Sequence, residues 1–290
     1  MMEQIEEKAY GKLNLSLDVT EKRPDGYHEM VMLMQTVSLC DELTLRFEGT
    51  TVTARSNLRY VPNDERNLAV RAAKRYLAAV GESGRGVHIE LKKSIPVGAG
   101  MGGGSADAAA VLRALDRYYG ARLGRERLIE LAAEIGSDVA FCLVGGTVLA
   151  TGRGEELRPL RALPPCRFVI VKPSFAVSTP ELFQKLDSTP LRIHPDTAGL
   201  LRALDEGRLP ELCRRMYNVF EDVDDRRLRV VREIKGRLLD GGALGAIMTG
   251  TGSAVFGVFD DALAAETCCA AMKRDIPFAV TAEAVPQLLS

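Results

Sequence analysis

A chain of 290 residues has room for two ordinary domains, and 46% apolar with 27% charged residues is the composition of a globular protein. The net charge of −1 argues against a broad basic field for nucleic acid, no apolar run approaches the roughly 18–20 residues of a membrane span, and the acidic, polar start from Met1 to Lys8 is unlike a secretory signal. Six cysteines, at positions 40, 142, 166, 213, 268 and 269, show no C-x-x-C spacing and read as buried thiols, which suits a reduced, cytoplasmic setting and disfavours a zinc site.

From Lys12 to Val19 the residues alternate. Leu13, Leu15, Leu17 and Val19 share one face; Lys12, Asn14, Ser16 and Asp18 share the other. The pattern predicts a strand with one buried side, on which Lys12 and Asn14 point the same way about 7 Å apart. A solvated polar face is the ordinary reading, and a basic group aimed into a cleft is the other. Arg23-Pro24-Asp25-Gly26 spells a turn, with proline presetting φ and glycine taking the positive-φ position. Tyr27 and His28 open a second apolar strand through Leu39. An aromatic and an imidazole beside a tight turn suit a planar ligand, or equally a core tyrosine and a surface histidine. Residues 43–47 and 51–55 predict a short hairpin, and 63–67 a polar link into a helix reaching about Val80.

Residues 87–91 alternate as a strand, and then comes the run Pro96 to Asp107, with five glycines among twelve residues. Ala108, Val111, Leu112 and Leu115 follow at helical spacing. Strand, glycine loop and helix N-terminus in that order make a phosphate cradle, because unpaired N–H groups and the positive end of the helix dipole face the loop. Ser105 and Asp107 suit its first turn as caps. The loop is not a Walker A motif, having no Gly-Lys-Ser/Thr. Gly98, Gly100 and Gly103 satisfy G-x-G-x-x-G, but a dinucleotide fold requires a second strand after the helix. Residues 125–135 instead repeat Leu128, Leu131, Ala132 and Ile135 at helical spacing.

Gly136-Ser137-Asp138 ends that helix and leads into a predicted apolar strand, 139–144. Asp138 at its edge is a turn residue or a carboxylate aimed into a cleft. Gly145-Gly146 and Gly152-Arg153-Gly154 punctuate the next strand. Pro164-Pro165 marks a change of region, so the domain boundary is expected near 158–165, dividing 1–160 from 161–290. Beyond it the pattern predicts a strand over 167–171 and a helix opened by Ser178-Thr179-Pro180-Glu181, a capping box with proline in the first turn. Phe183 lies one turn inside. A mostly helical stretch covers 195–240, and a second glycine loop, Thr249-Gly250-Thr251-Gly252-Ser253, precedes strand 254–259, helix 262–274 and strand 278–281.

Lys12-Leu13-Asn14-Leu15, the Pro96–Asp107 run and Thr249-Gly250-Thr251-Gly252-Ser253, in this order and spacing over essentially the full chain, resemble the GHMP kinases, the superfamily of galactokinase, homoserine kinase, mevalonate kinase and phosphomevalonate kinase. Ala9-Tyr10-Gly11, the stretch Lys22 to Glu29 with its Arg-Pro-Asp-Gly-Tyr-His turn, Arg66-Asn67-Leu68, Gly136 to Val139 and residues 172–179 resemble the branch of isoprenoid-precursor biosynthesis that phosphorylates a cytidine diphosphate sugar alcohol. Tyr10-Gly11 and Ala140 depart from its usual Pro-Ala and proline, and read as backbone tuning.

The resemblance implies an α+β fold of two domains. The N-terminal one is ATP-binding and ribosomal-protein-S5-like, the C-terminal one is ferredoxin-like, and the site lies between them. It implies ATP as co-substrate with Mg²⁺, small-molecule substrates, no nucleic acid or membrane partner, and a monomer or weak homodimer. Asp138 would accept the hydroxyl proton, and Lys12 would steady charge near the γ-phosphate. Pro96, Gly98, Gly100, Gly102, Gly103, Gly104, Ser105 and Asp107 would surround the triphosphate, with the Ser105 hydroxyl reaching a phosphate or its Mg²⁺. Asn67 and Lys93 resemble contacts on the ATP side. Asn14 would bind the substrate's polar tail, Tyr27 and Phe183 its cytosine ring, and His28 the edge of that ring. Thr179 would lie near the sugar-alcohol end, with Gly250 and Thr251 on the substrate side.

Overall fold

Two nineteen-residue strands, β1 (Gln4–Lys22) and β2 (His28–Arg46), pair antiparallel around the Arg23–Gly26 turn. In this computed structural model, which describes residues 4–191 and 193–289, Gly26 takes φ +85° and the Asp25 carboxylate accepts the Tyr27 amide at 3.0 Å, the turn chemistry expected. Residues 1–3 of the N-terminal run read above lie outside the described residues.

Strand β2 does not stop at Leu39 but continues to Arg46, so 43–47 are its end and not one arm of a hairpin. The other expected arm, β3 (Val52–Ser56), pairs in parallel with β4 (Val87–Lys92), and β4 lies between it and β2. A parallel pair needs a long crossover, and helix α1 (Leu68–Ala79) supplies it. β5 (Thr147–Thr151) and β6 (Glu156–Pro159) complete the six-stranded sheet.

Helices α2 (Gly103–Tyr118), α3 (Gly124–Ile135) and α4 (Ser137–Val144) pack with α1 over this sheet. The interior of α2 is mostly alanine, which lets it approach β1, α1 and α4 closely. Residues 139–144 were expected as a strand and form α4 instead. All six side chains are buried, against α2, α3 and β1. A short apolar run buried on every side has no period to reveal, so its pattern fits strand and helix alike.

The second sheet holds β7 (Arg167–Lys172), β8 (Gly245–Met248), β9 (Val255–Phe259) and β10 (Phe278–Glu283) in the order β10-β7-β9-β8, all antiparallel. With it go α5 (Thr179–Asp187), α6 (Thr197–Asp205), α7 (Leu209–Arg214), α8 (Leu228–Asp240) and α9 (Ala262–Met272). The whole is an α+β fold. Pro180 sits in the first turn of α5, but the expected capping box does not form: the Ser178 side chain caps nothing, and Glu181 pairs with Arg227. Residues 284–289 return to the first sheet and α4, where Val285 donates to the Thr36 carbonyl of β2 at 2.9 Å and Leu288 to the Val144 carbonyl of α4 at 2.8 Å.

Candidate active site

The polar face of β1 is not solvated. Lys12 and Asn14 are 4% and 0% exposed, because the glycine loop and the second glycine loop close over them. Bulges at Tyr10/Lys12 and Asn14/Ser16 interrupt the simple alternation there. The Lys12 amide donates to the Met101 carbonyl at 3.0 Å, which fastens the loop to the strand. Its ammonium donates to Asn14 Oδ1 at 2.6 Å and lies 3.9 Å from Asp138 Oδ2. Asp138 is in the first turn of α4, with its side chain 38% exposed, so it faces open space while Lys12 supports it from below.

Gly98, Gly100 and Gly102 all take positive φ. A Cβ at Gly100 would overlap the Thr249 carbonyl oxygen, so the two glycine loops approach as closely as backbones can. Ala254 donates to the Ala99 carbonyl at 3.1 Å, and Asn14 to Thr249 Oγ1 at 3.0 Å, which knits the two halves at this point. Gly102 is the N-cap of α2 and no side chain caps the helix, which corrects the capping expected of Ser105 and Asp107. The first-turn amides of Gly103, Gly104 and Ser105 therefore have no intrahelical acceptor. Among the described residues the Ser105 hydroxyl has no partner either.

A cleft of about 410 Å³ opens over this arrangement, within the usual range for a small-molecule site. Its walls hold Lys12 and Asp138, then Pro96, Gly98, Gly100 and Gly102 to Ser105, and across from them Thr179, Phe183, Gly250 and Thr251. The hydroxyls of Thr179 and Thr251 lie 2.9 Å apart.

Four expected site residues are engaged elsewhere. Asn67 is the N-cap of α1; its oxygen accepts the Ala69 amide at 3.0 Å and its nitrogen donates to Pro62 at 2.8 Å. Lys93 borders the cleft, but its ammonium is 2.5 Å from both the Asp41 and the Asp107 carboxylates, all three being buried. Burial disfavours that ammonium; Asp107 and Asp41 outweigh it and hold its pKa above the ordinary value. Burial pushes the Asp107 carboxyl up, with Asp41 adding and Lys93 opposing. The buried Asp107 carboxylate thus braces the loop through Lys93 and does not line the cleft. Asn14 is fully buried, its side chain spent on Lys12 and on Met32 Sδ, so it positions Lys12 and does not itself line the cleft.

Phe183 lines the cleft, and Tyr27 is not among its lining residues. Tyr27 stands at the turn, 57% exposed, with the Arg153 guanidinium 5.1 Å above its ring. His28 stacks on Phe183 at 4.8 Å, its Nε2 2.6 Å from Asp187. Sequence reasoning missed Asp41, which accepts the Ser94 and Ile95 amides at 2.5 and 2.8 Å, and Asn218, which donates to the Met248 and Gly250 carbonyls at 2.8 Å each. Asp41 is one of three acids in β2, beside Glu42, so little in the sequence singles it out, and a lone asparagine gave no signal for the second.

Residues 67–146 match the family of GHMP kinases, N terminal domain, and 200–277 match GHMP kinases, C terminal. The chain is 42% identical over 266 residues to a 4-diphosphocytidyl-2-C-methyl-D-erythritol kinase of Clostridium kluyveri, covering 92% of this chain and 95% of that one. It is 46% identical over 255 residues to one from Bacillus velezensis, covering 88% of each. A crystal structure of 4-(cytidine 5'-diphospho)-2C-methyl-D-erythritol kinase superposes with a TM-score of 0.80 at 36% identity, covering 97% of this chain and 99% of that one. Homoserine kinase from Cytophaga hutchinsonii shares the fold, with a TM-score of 0.77 at 23% identity over 99% and 96% of the two chains.

Proposed function

The chain belongs to the GHMP kinases, among the 4-diphosphocytidyl-2-C-methyl-D-erythritol kinases, and from that premise we propose how its cleft carries out the transfer. It is an ATP-dependent kinase that moves the γ-phosphoryl group of ATP to the 2-hydroxyl of 4-(cytidine 5'-diphospho)-2-C-methyl-D-erythritol, in the non-mevalonate route to isoprenoid precursors. Residues 1–160 serve as the ATP-binding half and 161–290 as the substrate half, and the protein acts in the cytoplasm.

The carrying observation is the 3.9 Å separation of Lys12 Nζ and Asp138 Oδ2 beside the free first-turn amides of α2. Phosphoryl transfer needs positioning and charge stabilisation more than covalent chemistry. Amides of Gly103, Gly104 and Ser105 hold the phosphates at the positive end of α2. Asp138, exposed to the cleft, accepts the proton of the attacking hydroxyl. Lys12, locked by Asn14, supplies a fixed cation where charge develops, at no reorganisation cost. The unpartnered Ser105 hydroxyl beside the loop would suit Mg²⁺, which would supply neutralisation of phosphate charge when bound.

A coupled assay of ADP release tests the reading. ADP should appear with the cytidyl substrate and not with homoserine or mevalonate; release driven by either of those, or none with the cytidyl substrate, overturns it.

A further inference from the structure

Helix α5 presents Thr179, Phe183 and Asp187 at four-residue spacing, so all three lie along one face. Thr179 meets Thr251, and Phe183 stacks on the His28 ring at 4.8 Å with 29° between the planes. Asp187 takes the edge of the same ring. One carboxylate oxygen lies 2.6 Å from His28 Nε2 and the other 2.5 Å from Lys22 Nζ. Lys22 and His28 flank the turn of the first hairpin, so this carboxylate joins the two halves across the cleft mouth. As the last residue of α5 it sits at the helix end where the dipole disfavours an acid. Nothing local accounts for it; its partners are on the other side.

The arrangement fixes a proton. Lys22 first, then His28, holds the Asp187 carboxyl below the usual carboxylate range, so at neutral pH it is acceptor only. The hydrogen in the short contact therefore belongs to Nε2. A neutral ring protonated at Nε2 carries a bare lone pair at Nδ1, and Nδ1 takes no hydrogen bond among the described residues.

We propose that Asp187 is a positioning residue that selects the pyrimidine: by holding His28 as the Nε2–H tautomer, it presents Nδ1 as an acceptor to the exocyclic amine of cytosine. The proposal rests on the reading that the substrate carries a cytosine nucleotide. Uracil has a carbonyl where cytosine has the amine, and a lone pair would then face a lone pair. The opposite tautomer would match uracil and oppose cytosine, so the location of one ring proton decides which base is accepted.

Two measurements test this. In the intact wild-type protein, ¹⁵N-histidine NMR, with the His28 signals assigned by their loss in His28→Gln, should show His28 protonated at Nε2; the Nδ1–H tautomer overturns the proposal whether or not any variant folds. In kinetics, the ratio of kcat/KM for the cytidine substrate to that for its uridine counterpart should fall about tenfold in Asp187→Asn, the worth of roughly one hydrogen bond, since an amide can also donate to Nε2 and release the tautomer. The loss should lie in KM for the cytidine substrate and not in kcat. An unchanged ratio in an active Asp187→Asn enzyme overturns this proposal alone. A wild-type enzyme that ignores the cytidine substrate overturns both it and the functional reading beneath it.

Discussion

Lys12 is useful because it cannot move. A flexible ammonium on an exposed strand would be hydrated and mobile; here it is 4% exposed, tied to Asn14 and packed beneath Gly102, whose added Cβ would lie 3.2 Å from Lys12 Cγ. The carboxylate it faces is free to work, so Asp138→Asn should lower kcat by roughly 10²–10⁴ with modest change in KM for either substrate, as steady-state kinetics will read. Unchanged turnover would remove Asp138 from the role of base. The types of these two residues were legible in the sequence, since a lysine on an alternating strand and an acid after a glycine are visible without a structure. The roles of Lys93 and Asp107 were not. Both sit in or beside the phosphate run, but their ammonium and carboxylate are drawn to each other and to Asp41, fifty-two residues before Lys93 in the chain. Partner choice of that kind is a tertiary fact: a buried charge pairs with whatever opposite charge the fold brings nearest.

At the scale of elements, local patterns succeeded where polar and apolar residues alternate and failed where an element is apolar throughout. β1 alternates and was read; α4 is apolar all round and was misread; β3 went to β4 because parallel pairing depends on a crossover that no local pattern encodes. The glycine loop was readable for a different reason, since its backbone must enter the positive-φ region where only glycine is at ease. Gly100→Ala should therefore combine strain of about 1–3 kcal/mol with displacement of the Thr249 carbonyl, lowering the melting temperature and raising KM for ATP together. Wild-type values for both would mean that the loops do not approach as described. Helices α5 and α8 are joined by another buried acid. Asp225 accepts from Lys185 at 2.8 Å and from Arg227 at 2.5 Å, and Arg227 first, then Lys185, outweighs burial and depresses its pKa. A depressed folded-state pKa adds stability above the unfolded carboxylate range and loses it as pH falls through that range toward the folded value. Asp225→Asn should thus cost about 1–3 kcal/mol near pH 7 and less at acid pH, flattening the melting temperature against pH. A parallel displacement of the curve at every pH would deny the charge its part.

The cleft exists only while the two sheets keep their relative position, and few covalent links hold them: β6 ends at Pro159 and β7 begins at Arg167. Contacts through the site itself help, such as the Ala254–Ala99 bond and the Asn14–Thr249 bond, but a site that must admit two substrates cannot be its own clamp. The C-terminal tail supplies a second fastening on the far side. After β10 the chain crosses back to β2 and α4, with Glu283 donating to Ser38 Oγ at 2.9 Å, Gln35 to the Val285 carbonyl at 3.1 Å and Leu288 to the Val144 carbonyl at 2.8 Å. Gly145 is bare to receive it: a Cβ there would come within 2.6 Å of Leu288 Cγ. The tail thus ties the second sheet to β2 and α4 away from the cleft lining, as a strap across a hinge would. Removing residues 284–290 should lower the melting temperature, because several backbone bonds worth about 0.5–1.5 kcal/mol each are lost at once. It should also raise KM for ATP and for the cytidyl substrate together, since both bind in the one cleft between the sheets. Melting and KM must move in the same truncated protein. If it melts earlier but keeps both KM values, the tail only seals the sheet edge, and the spacing of the cleft is set by the site loops after all.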